Sequence, residues 1–86
     1  MTRRIYAADI ASQLITAGHP SSDRGPAWTP GHRVSQASPH TTRIHHDGPD
    51  EPAHLDQYAA TLRRAGFTVT AEARTNRRPT IRATHP

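Results

Sequence analysis

The sequence predicts a small α+β domain, ordered α-β-β-α-β-β, with a four-stranded antiparallel sheet and two helices packed on one face. Three observations point there. Apolar residues recur at helical spacing in "YAADIASQLITAGHP" (6–20) and "AHLDQYAATLRRAG" (53–66). They alternate with period two in "FTVTAEAR" (67–74) and "TIRATH" (80–85). With 86 residues and only fifteen large apolar side chains, a second core is out of reach, so residues 1–86 read as one domain. So thin a core makes a partner or a second copy a natural expectation.

In the first helix Tyr6, Ala7, Ile10, Leu14 and Ala17 fall on one face. Gly18 offers a left-handed ending, and Pro20 prevents resumption. Residues 19–31, rich in Pro, Gly and Ser, form an irregular loop in which Trp28 is expected to anchor to the core. "HRVSQAS" (32–38) and "TTRIHH" (41–46) each centre on one aliphatic, Val34 or Ile44, and flank Pro39-His40 as a hairpin. The second helix has Leu55, Tyr58, Ala59 and Leu62 on one face. Gly66 stands at its C′ position, and Phe67 is placed to fold back on Leu62.

On the last hairpin, Phe67, Val69, Ala71, Ala73, Ile81 and Ala83 should face inward. Thr68, Thr70, Glu72, Arg74, Thr80, Arg82 and Thr84 should face water. "IASQLITAG" (10–18) and "YAATLRRAG" (58–66) share their apolar and Gly placement, which suggests an internal duplication.

Composition narrows the function classes. There is no cysteine, which removes disulfides, thiolate metal sites and thiol nucleophiles. No apolar run approaches a membrane span, and Asp9 and Gln13 interrupt any leader-like apolar region, so a cytoplasmic location and no membrane partner are expected. The net charge of +4 rests on eleven arginines and no lysine, a usage typical of a GC-rich, bacterial genome. Position is therefore more informative than total charge.

One stretch looks like chemistry: "HHDGPDEPAHLDQY" (45–58), with three histidines and four carboxylates. On a strand His45 and His46 face opposite ways, so they cannot readily share a metal. His46, Asp50 and His54, with His85, are the fallback metal set, but they match no established ligand spacing. Turn and cap chemistry accounts for the same residues: Asp47-Gly48-Pro49 turns the chain, Asp50 caps the helix, and Glu51 and Pro52 suit its first turn. No metal or other cofactor is therefore expected.

No Gly-flanked serine elbow is present and no second carboxylate pair opposes the first, so no catalytic residues are assigned and an enzyme is not expected. "GFTV" after a helix, with a strand ending "THP", resembles HicA-type mRNA interferase toxins. Those carry a Gly-Ser-His stretch and a closing helix, whereas this chain reads "EARTNRR" there, and the activity is not carried over.

Two surfaces remain. Arg74, Arg77, Arg78 and Arg82, with Arg33 and Arg43 beside them, form a candidate phosphate-contacting face for DNA or RNA. Ile5, Ala8 and Ile15 form a second apolar stripe on the first helix, a candidate interface for another copy or another protein. The leading expectation is a non-enzymatic binding or regulatory module that contacts nucleic acid through its last hairpin. The alternative is a homodimeric protein-interaction module, and a histidine-based metal-binding protein is the distant third.

Overall fold

The computed structural model describes residues 3–22, 29–72 and 78–86. Its elements are α1 (Ala7–Thr16), β1 (Gly31–Ser38), β2 (Thr41–Asp47), α2 (Glu51–Arg64), β3 (Thr68–Glu72) and β4 (Thr80–Thr84). All neighbouring strands are antiparallel, in the order β1-β2-β4-β3. The expected α+β architecture is what forms.

Strand register decides the two faces. Val34, Ile44, Ile81 and Ala71 are aligned across the sheet, as are Thr42, Ala83 and Val69. This inner face meets Ile10 and Leu14 of α1 and Leu55, Tyr58 and Leu62 of α2 in one core. The outer face carries Arg33, His45, Arg43, Arg82 and Thr70. Both helices end alike. Gly18 and Gly66 adopt positive φ, and the next amide, His19 or Phe67, donates back to Leu14 or Leu62 at 2.9 and 3.0 Å. The two α-β-β halves thus pack their second strands, β2 and β4, side by side at the centre.

Several expectations need correction. Ile5 was placed on an outward stripe but is 1 % exposed. It precedes α1 in extended chain, where its amide donates to Pro39 O and its carbonyl accepts from Gln36. That tie turns it into the core. Tyr6, expected to face the core, is instead 51 % exposed beneath the Arg4 guanidinium, and Ala17 is also exposed.

Asp50 occupies the cap position of α2 but has φ 58 and makes no side-chain cap bond. Capping requires an extended backbone there, which the left-handed residue lacks. Ala71 has inner-face register yet is exposed, because an open groove separates it from Pro52 and Leu55. Thr80 faces outward but is buried, its hydroxyl donating to Glu72 at 2.9 Å. Trp28, Ala73, Arg74 and Arg77 lie outside the described residues.

Candidate functional site

Strand alternation at the end of β2 sends His45 outward and His46 inward, as the sequence implies. The His46 ring is buried, with Nδ1 2.7 Å from the Tyr58 hydroxyl and its plane stacked on His54 at 4.0 Å and 4°. His54 reaches this point because His54 and Tyr58, four residues apart, share one side of α2. The α1 ending swings His19 in from the other direction. Its Nε2 lies 3.0 Å from Thr61 Oγ1, and its ring meets Tyr58 edge-on at 5.1 Å.

His32 comes from β1, paired with His46, and also meets Tyr58 edge-on, at 5.9 Å. Four imidazoles thus surround one phenol. The sequence pointed to His46 and His54 but missed His19, His32 and the centre of the cluster, Tyr58.

Beside this cluster is a recess of about 260 Å³. Its walls come from the turn after α1 (Gly18, His19, Pro20), the start of β1 (Pro30, Gly31), the end of β2 (His46, Pro49) and α2 (His54, Gln57, Tyr58). No Asp, Glu, Lys or Arg lines it among the described residues. Backbone bonds from Ser22 N to His32 O and His32 N to Pro20 O tie its rim to β1.

Burial and the neighbouring His54 hold the His46 pKa below its ordinary value, against weaker opposing effects of the Pro49 carbonyl, Glu51 and Asp47. Burial, His54 and Arg64 lower His19 in the same direction. Burial, with Asp47, pushes Tyr58 up to about 12. At neutral pH these are neutral rings around a protonated phenol. Assigning the phenol as donor to His46 Nδ1 leaves the ring proton on Nε2. That Nε2 has no hydrogen-bond partner of ordinary geometry among the described residues, nor do the ring nitrogens of His54.

The fallback metal set is only half assembled. His46 and His54 meet, but parallel rings direct their nitrogen lone pairs into separate parallel planes, which does not suit one shared ion. Asp50 is exposed and does not line the recess, and His85 packs on Phe67 beyond the far end of β4, ring centres 5.1 Å apart. Among the described residues, no three His, Cys, Asp or Glu converge on a metal position.

The outer face solves its polar problem differently. Arg33 Nε lies 3.0 Å from Asp47 Oδ2, and Arg78 bridges Asp47 and Glu51, each at 3.2 Å. Arg78 also donates to the His46 carbonyl. Arg43 Nε lies 2.8 Å from Glu72, whose other oxygen is 3.9 Å from Arg82. Burial would raise Asp47, but hydrogen bonds from Arg33, Ser22 and Arg78, with the charge of Arg33, hold it at about 2. The hydrogen bond from Arg43 leads those that lower Glu72. Arg33, Arg43, Arg78 and Arg82 therefore do share a surface. Arg78, however, folds back onto carboxylates where an outward-reaching side chain was expected.

No protein-family model, curated protein or solved structure matches the chain. Function has to be argued from these two surfaces and from the α1 stripe. Ile5 has left that stripe for the core, while Ala8 and Ile15 remain exposed. Among the described residues, no helix is long and apolar enough to cross a membrane.

Proposed function

We propose that the protein is a small binding module whose ligand seat is the recess between the end of α1, the β1–β2 hairpin and the start of α2. The observation that supports this is the convergence on one concave site of polar rings from three separate parts of the chain, with the His54 nitrogens unpaired among the described residues. Concave, largely apolar sites with a few convergent polar groups are where small ligands bind. A core needs no such arrangement, because buried polar atoms without partners cost stability.

The test is a fragment screen followed by amide NMR. Bound fragments should move Gly18, Gly31 and Gln57 while leaving Thr68 and Thr70 unmoved, and His54→Ala should weaken them. Fragments that shift only outer-face amides would refute the assignment.

The outer face supports a second reading, contact with a polyanion such as DNA or RNA, because four arginines occupy one surface. The arginines of these pairs reach solvent while their carboxylates are partly buried, and ion pairs at a surface contribute little net stability, so a phosphate can replace a carboxylate as partner. Binding to duplex should then weaken with salt. Replacing Arg43 and Arg82 together by Ala should flatten the log–log slope by about two. Binding with no salt dependence would exclude this reading.

A further inference from the structure

We propose that the recess takes up a small planar carboxylate, an aromatic or heteroaromatic acid, together with one proton that the imidazole cluster receives. This rests on the recess being the ligand seat. Its size admits a one-ring molecule, and the Pro20, Pro30 and Pro49 walls with the Tyr58 ring favour a flat, largely apolar body. The polar end of the ligand follows from what the site can offer.

Among the described residues no charged side chain lines the recess, so the charge they can offer a ligand there is one that the imidazoles acquire. A cation would meet rings that can only become positive, with Arg64 near enough to act on His19. A neutral amide would find hydrogen bonds and nothing more. A carboxylate finds the same bonds and, once a ring protonates, a charge-assisted pair, about twice as strong as a neutral bond.

The neighbours of each ring favour this exchange. Burial first, and then His54 from α2, opposes the protonation of both His19 and His46. An anion seated among them removes that opposition. The remaining groups about His46 are His32 from β1, the Tyr58 phenol from α2 and, on its strand and beyond, Asp47 and Glu51. Both carboxylates are already engaged by arginines, Asp47 by Arg33 and Arg78, and Glu51 by Arg78. Neither lines the recess. Among the described residues the cluster therefore has potential positive charge without a counter-ion in the cavity. The step is proton uptake alone: one imidazole N–H bond forms, and hydronium or the buffer acid gives up the proton.

The experiment is calorimetric titration of the full chain with benzoate and with its neutral isostere benzamide, from pH 6 to 8. Buffers of different ionisation heat count the protons, and amide NMR locates the site. Benzoate should tighten by up to about tenfold per pH unit on acidification, with about one proton taken up. Benzamide should bind more weakly and without pH dependence. His19→Gln, which keeps hydrogen bonding but cannot protonate, should reduce the benzoate dependence.

Benzamide matching benzoate, or benzoate binding without proton uptake, would overturn the ligand class and leave the recess standing. Failure of both to move the recess amides would overturn the recess reading as well.

Discussion

His46 and Asp47 are adjacent in β2, yet the two faces of the sheet treat them in opposite ways. Inside, His46 lies among other imidazoles, and burial keeps it neutral. Outside, Asp47 stays ionised because two guanidiniums and a hydroxyl hold it. One face suppresses charge and the other pairs it. An ion pair must give up its own partner before it takes another, whereas a suppressed charge remains available to a ligand that can elicit it. That contrast is why the recess, rather than the arginine face, leads the functional reading.

The strongest test of the contrast is truncation at its two centres. Tyr58→Ala removes the buried ring that the imidazoles surround and should cost about 3–5 kcal/mol by urea denaturation. Arg82→Ala, on the exposed face, should stay within about 0.5 kcal/mol. Equal losses would break the comparison.

A step smaller, Tyr58→Phe leaves His46 Nδ1 buried without its partner and should cost about 1–3 kcal/mol. Gly31→Ala should cost a comparable amount, because a Cβ there would fall on the Pro20 backbone at the rim of the recess. Gly66→Ala meets open space and pays only for its positive φ, about 1 kcal/mol.

Acid should separate the faces in two windows. The folded pKa values of His19 and His46 lie below the ordinary value near 6.5, so the unfolded chain takes up their protons first. Stability should be full above pH 6.5 and fall as pH drops below it, by up to about 1.4 kcal/mol per pH unit for each proton. His45, lowered by burial and Arg33, adds to that window from the other face.

Asp47 at about 2 and the lowered Glu72 hold their stability above about pH 4 and lose it toward pH 2. Molar salt should shrink the lower window and spare most of the upper one. A single transition below pH 4, measured by urea midpoints at pH 8, 5.5, 3.5 and 2, would contradict the account of the imidazoles. The Arg43–Glu72 coupling should likewise be small, and a double-mutant cycle should show it falling with salt.

The helices, the strand alternation and the element order were legible because each rests on local spacing. Leu55, Tyr58 and Leu62 face the core, and Val69, Ile81 and Ala83 face inward, as their periods require. The site was half legible for a physical reason. Ser38 pairs with Thr41 but Gln36 with Thr42, so β1 carries one extra residue at Ala37. Without that bulge, continuing the Ser38–Thr41 register would place Arg33 opposite His46.

With the bulge, His32 takes that place and completes the ring around Tyr58. A one-residue irregularity leaves no periodic signal. His19 was hidden similarly, since its position depends on how α1 ends rather than on its pattern. Arg78 was misplaced because proximity to Asp47 and Glu51, some thirty residues away, is a tertiary fact.

The meeting of β2 and β4 at the centre of the sheet also sets an order of assembly. Each hairpin closes between neighbours in sequence, but Thr42 meets Ala83 only after the chain between them has been gathered in. The central seam therefore forms late, and its three registered pairs complete the sheet after the two outer hairpins. The recess walls all lie between residues 18 and 58, on the early side of that seam. Its rings can assemble around Tyr58 before the last strand docks, so refolding followed at the Tyr58 ring should run ahead of refolding followed at Arg82.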